Sequence, residues 1–169
     1  GVATDGVLTD AERLTALVFL GIRDPDTFPL IFYRENCADM ALTAADIDPA
    51  LVRSARAVLI NGTHLSQPQV FEASLRACQL ARAAGARVVF DIDYRPVLWG
   101  LAGKDQGENR YVADAGVTAR LQQVLPLCDL VVGTDGDSGV NWLRNDGTPL
   151  DGGLWTVHSA GLNDDEFHV

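Results

Sequence analysis

The chain has 169 residues, a formal net charge of −10 and a composition that is 47% hydrophobic and 21% charged. That length holds one domain with a real core. The acidic balance excludes nucleic acid or an anionic membrane as the main partner, because both require a basic footprint, whereas an anionic small molecule needs only local cations.

Gly1 to Asp10 is polar and turn-rich. Leu14 to Ile22 (LTALVFLGI) reads as a strand, Asp24-Pro25-Asp26 as a turn with Pro at its second position, and Phe28 to Tyr33 (FPLIFY) as a second strand. The two are expected to pair as a hairpin beside the main sheet, and Arg34 to Asp39 follows as a polar loop. The pattern turns helical from Leu42, and Asp48-Pro49 opens a short helix, since Pro is tolerated in a first turn.

Ala57 to Ile60 is a short apolar strand ending at Asn61-Gly62. Ser66, with Gln69 three residues on and Pro68 between, reads as a capping box that starts a helix. Phe71, Ser74, Leu75, Cys78 and Ala81 recur at helical spacing as its buried face, with Arg76, Gln79 and Arg82 turned away. Gly85 suits the C-terminal cap.

Val88, Val89, Phe90 and Ile92 mark the next strand, whose carboxyl end is crowded by Asp91, Asp93 and Arg95 before Pro96 stops the sheet. Pro96 to Asn109 is a long glycine-containing loop, Ala113 to Leu125 a second long helix candidate, and Asp129 to Val132 a third parallel strand. Strand, helix, strand in this order specifies an α/β fold with a parallel sheet. From Val140 to Val169 no helix or strand period is read, and the segment is expected to be loop-like.

In open α/β sheets ligands bind outside the carboxyl ends of the strands, so the Asp91 to Trp99 loop is the first candidate site. Asp93 and Arg95 either take part in that site or form a structural ion pair closing a turn. Arg34 and Arg95 each end a strand, and their planar guanidinium groups suit carboxylates or phosphates; the alternative is a pair of solvated or ion-paired arginines.

Other motifs carry less. Gly136-Asp137-Ser138-Gly139 spells a serine-protease nucleophile segment, but the α/β pattern denies it the all-β scaffold and partners it needs. Asp135-Gly136-Asp137 opens like a calcium loop, yet Val140 stands where that loop needs Gly and Asp146 where it needs Glu. Neither G-x-G-x-x-G after a strand nor a P-loop is present. Cys37, Cys78 and Cys128 lack disulfide-framework or zinc spacing, so free thiols and a cytoplasmic location are expected. Asn61-Gly62-Thr63 matches a glycosylation sequon, read here as coincidence.

Four segments together resemble the ribokinase-like (PfkB) carbohydrate kinases, and among them most closely the 5-dehydro-2-deoxygluconokinases. They are LTALVFLGIRDPDTFPLIFYRENCADMAL (14–42), LINGTHLSQP (59–68), VVFDIDYRPVLWG (88–100) and CDLVVGTDGD (128–137). The resemblance implies a partial ribokinase-like fold over residues 1–137, with a β lid hairpin at about 14–34 and a divergent tail at 138–169. It implies ATP-dependent phosphoryl transfer to a keto-sugar acid, with Mg2+. Substrate contacts fall by motif match on Tyr33, Arg34, Asp93 and Arg95, and the acidic metal-organising position falls on Asp137. The glycine-rich segments and the G-A-G-D motif that carry the family's sugar site and catalytic base have no counterpart here. The expectation is therefore a chain inactive by itself: a truncation, a frameshift product or an incomplete gene model. The alternatives are a non-catalytic remnant that binds a sugar acid or an intact homologue, and a 2-keto-3-deoxygluconate-type kinase. Self-association through the lid strands is also implied.

Overall fold

The structure, a computed structural model, describes residues 1–25, 29–104, 106–107 and 112–133, together with the backbone of 155–158. Two sheets are formed. Strands β1 (Leu17–Leu20) and β2 (Leu30–Tyr33) make the expected antiparallel hairpin, with Leu17 opposite Tyr33 and Leu20 opposite Leu30. Both strands are shorter than the apolar runs that announce them, because a two-stranded ribbon offers each strand one pairing edge and little burial.

The main sheet runs β3 (Ala57–Asn61), β4 (Arg87–Asp91), β5 (Leu130–Gly133) and β6 (Trp155–His158), in that spatial order. The first three are parallel and in sequence order, as the alternation of strand and helix predicts. β6 is antiparallel to β5, pairing Leu130 with His158 and Gly133 with Trp155. This corrects the expectation of a loop-like tail at one point. Trp-Thr-Val-His is rich in β-branched and aromatic residues, but four residues are too short to show a period among their Gly- and Asp-rich neighbours. The remainder of 138–169 lies outside the described residues, as does the boundary drawn at 137/138.

Between β3 and β4 runs α2 (Pro68–Ala84). It buries Val70, Phe71, Ala73, Ala77, Cys78 and Ala81, while Ser74 and Leu75 are half-buried. Its start differs from the expected capping box. Gln67 is the N-cap, Ser66 ends a preceding 3-10 helix and donates to the Thr63 carbonyl, and Gln69 reaches away to the Met40 carbonyl. The end is as read: Gly85 is left-handed at φ 75° and its amide caps Ala81 and Arg82.

A short helix α1 (Pro49–Ser54) starts at Asp48, whose carboxylate accepts from the Ala50 amide. Helix α3 (Ala115–Val124) is capped in the same way by Asp114, which accepts from Val117. Packed between α2, α3 and the sheet are Leu65, Phe71, Cys78, Val88, Phe90, Ile92, Tyr94, Val117, Leu121 and Val131. Asp129 ties the sheet's amino end together. It accepts from the Val88 amide at 2.7 Å, Arg87 at 2.9 Å and Arg82 at 3.1 Å. Burial pushes its carboxyl up, but those three donors outweigh burial and hold it below the ordinary value.

Candidate functional site

The carboxyl ends of β3 and β4 lie side by side, Asn61 opposite Asp91. Asn61 accepts from the Thr63 amide at 2.9 Å, folding Asn61-Gly62-Thr63 into a tight turn. The triplet that matches a glycosylation sequon is thus a piece of the candidate site. Gly62 is required there, since a Cβ at this position would fall 1.8 Å from the Ile92 carbonyl oxygen. The loop after β3 therefore lies directly on the loop after β4.

Asp93 is the node between these loops. Its backbone is left-handed at φ 30°, a region that non-glycine residues visit rarely and Asp more readily than most. Thr63 Oγ1 lies 2.9 Å from its carboxylate and 3.1 Å from its carbonyl, and Asn61 Nδ2 lies 3.1 Å from the Asp91 carboxylate and 3.4 Å from that of Asp93. Arg95 pairs with Asp93 at 2.5 Å and donates to the Tyr94 carbonyl at 3.1 Å. The structural ion pair foreseen as the plainer alternative is present. The strand ends at Asp91, ahead of Pro96, which instead opens a 3-10 helix, Pro96–Trp99, inside what reads as a continuous loop.

Arg34 leaves the end of β2 and its guanidinium Nη2 meets the Asp39 carboxylate. His64 Nε2 stands 3.4 Å from the same oxygen. Burial pushes the imidazole below its ordinary value, against the pull of Asp39 and Asp93, with Arg34 adding to the push. Arg34 Nε and Asp39 Oδ1 are buried without a hydrogen-bond partner. An unpaired buried donor is costly.

Beside Arg34 opens a cleft of about 860 Å³. Its cations are Arg13, Arg34 and Lys104; Gln67, Gln69 and Trp99 are among its other walls. Trp99 Nε1 is also buried and without a partner. Lys104 is held at 2.8 Å by Glu35, and Arg13 lies 3.9 Å from Asp10. A cleft with three cations, one carboxylate (Glu35, paired with Lys104) and neutral amide groups can take an anion that also carries hydroxyls.

Of the residues singled out by sequence, Arg34 lines this cleft, and Asp93 and Arg95 meet each other at the strand ends. Tyr33 does not line the cleft. It is exposed on the hairpin and packs edge-on against Phe19, ring centroids 5.6 Å apart. Asp137 lies outside the described residues. Sequence reasoning missed Asn61, Thr63, His64, Asp39, Trp99 and Lys104. The turn at 61–63 has a recognisable Asx signature, whereas nothing local marks His64 or Lys104. Among the described residues no group of His, Cys, Asp and Glu is arranged to hold a metal, and no helix is long and apolar enough to cross a membrane.

No family model matches the chain. The 5-dehydro-2-deoxygluconokinase of Shouchella clausii is 45% identical over 100 residues, which is 59% of this chain and 31% of that protein. The chain therefore spans about a third of the length of a curated relative. Among solved structures, the fructokinase of Xylella fastidiosa superposes with a TM-score of 0.63 at 20% identity, over 92% of this chain and 52% of that one. Its form with bound ATP gives 0.59 at 25% identity, over 80% and 48%. A PfkB protein from Polaromonas gives 0.52 at 27% identity, over 74% and 49%.

Proposed function

From a chain related to the ribokinase-like (PfkB) carbohydrate kinases, we propose that these residues form the acceptor-binding part of an ATP-dependent kinase for a keto-sugar acid, 5-dehydro-2-deoxygluconate or a close analogue. The observation that carries this reading is Arg34, a cleft-lining arginine with an unpaired buried Nε, within a chain that matches a kinase of that name at 45% identity.

The residues act by binding and orienting. Arg34 takes the substrate carboxylate, with Arg13 and Lys104 adding positive potential at the same cleft. Gln67 offers hydrogen bonds to hydroxyls, as does the amide oxygen of Gln69, whose Nε2 donates to Met40. Asp93 and Arg95, outside the cleft lining, fix the strand-end loop that leads into its Val97 to Trp99 wall, with Tyr33 at the hairpin's rim. ATP supplies the phosphoryl group in such a reaction; Mg2+ would be organised at Asp137 by the family pattern, outside the described residues. No G-A-G-D base motif occurs in the 169 residues. Since a positioned general base contributes about 10²–10⁴-fold, this chain by itself binds the acid and does not turn it over.

Saturation-transfer NMR with 5-dehydro-2-deoxygluconate and with 2-keto-3-deoxygluconate, beside a coupled ADP-release assay, tests the proposal. Binding of the first acid in preference to the second, without ADP release, is expected. Preference for the second favours the other kinase type. Release at an ordinary kinase rate, roughly 1–100 s⁻¹, contradicts the assignment of the residues to binding alone.

A further inference from the structure

Arg120 belongs to α3, away from every motif that suggests chemistry. Its guanidinium carbon lies 5.4 Å from the Phe71 ring centroid and 5.4 Å from that of Trp99. Its Nη1 donates to the carbonyls of Leu65 and Ser66, both at 3.1 Å. Among the described residues no carboxylate pairs with it. One side chain thus grips three elements: the start of α2 through Phe71, the 3-10 helix after β3 through Leu65 and Ser66, and the 3-10 helix after β4 through Trp99.

Two of the four residues it holds, Ser66 and Trp99, line the cleft. A guanidinium within about 6 Å of two ring faces is attracted by both. Its planar fork donates to carbonyls at the same time, which an ammonium does with less directional definition. The loops that carry the two short helices are also joined by Gly62 against Ile92 and by the hydrogen bonds of Asn61 and Thr63 to Asp93.

We propose that Arg120 is a positioning residue for the ligand cleft: it sets the spacing between the Ser66 and Trp99 walls and holds the Trp99 ring in the cleft wall. The inference rests on reading this cleft as the sugar-acid site. It adds a residue on α3, which contributes no side chain to the cleft lining.

The test uses the full chain with indole-¹⁵N tryptophan, the Trp99 resonance being identified by Trp99→Phe, and gluconate as the probe. In Arg120→Gln the Trp99 indole resonance is expected to move before any ligand is added. Gluconate affinity is expected to fall on the order of tenfold, with the far-ultraviolet circular dichroism unchanged. Arg120→Lys keeps a donor to the carbonyls and recovers part of both. An Arg120→Gln chain with the wild-type resonance and the wild-type affinity overturns the proposal. If Arg120→Gln does not fold, Arg120→Lys decides: values identical to wild type in both readouts overturn it, and intermediate values support it. If the wild-type chain binds no gluconate, the sugar-acid reading fails separately, and the ligand-free indole shift still decides whether Arg120 positions Trp99.

Discussion

Arg34 sets the chemistry of the cleft because it lines the cleft while its guanidinium is met by a single carboxylate. Asp39 takes Nη2, while Nε has no partner. A charge-assisted hydrogen bond contributes about 1.5–3 kcal/mol, so Arg34→Gln is expected to weaken a sugar acid by roughly 10–100-fold. Calorimetric titration measures it, and a change below threefold would move the anion site elsewhere. His64 supplies the pH dependence. The folded chain disfavours its proton, burial outweighing Asp39. As pH falls through about 6.5 the unfolded chain binds a proton that the folded chain does not. Stability from this group is therefore full above that pH and declines as pH drops toward the lowered folded value. The thermal midpoint should fall between pH 7.5 and 5.5, and His64→Gln should flatten that part of the curve. A wild-type midpoint independent of pH across the window would show that His64 does not titrate differently on folding.

Elements meet at the site through backbone approach more than through side chains. Gly62→Ala puts a methyl group against the Ile92 carbonyl oxygen, and overpacking of this kind typically costs 1–3 kcal/mol. Urea unfolding should show a loss at the upper end of about that range, and a neutral result would mean that the two strand-end loops separate easily. The same scale explains what could be read in advance. β3, α2, β4 and β5 follow from apolar runs, a 3.6-residue stripe and a glycine stop, because each is buried on the face its pattern marks. Arg34 and the Asp93–Arg95 pair were legible because they end strands in an α/β sheet. His64, Lys104 and Arg120 were not, since their places depend on which loops the sheet brings together, and periodicity carries no such information. The cap of α2 was misread for a related reason. Ser66 has the right spacing to cap the helix, but the 3-10 helix before it claims the hydroxyl for Thr63.

For the molecule as a whole, the hairpin is the most exposed apolar feature. Leu17, Phe19 and Tyr33 are each more than half exposed on one face, with Ile31 exposed beside them, and Val18 and Leu20 are exposed on the other. Exposed apolar surface of this kind favours association. The chain should therefore sediment as a concentration-dependent oligomer, and Phe19→Lys should shift it toward monomer; a wild-type monomer at high concentration would show that the hairpin is tolerated in water. The other described residues form an α/β body in which three of the chain's thirteen cations line one cleft, against a net charge of −10, and each stands near a carboxylate. Those three cations, Arg34 foremost, are the basis for assigning a sugar acid rather than a neutral sugar. Isothermal titration of the chain with gluconate and with glucitol, the same hydroxyl chain without the carboxylate, measures this directly. Saturable gluconate binding at least about tenfold tighter than glucitol, as expected for one charge-assisted contact, is the predicted result; equal binding of the two, or binding of glucitol alone, would contradict a sugar-acid site.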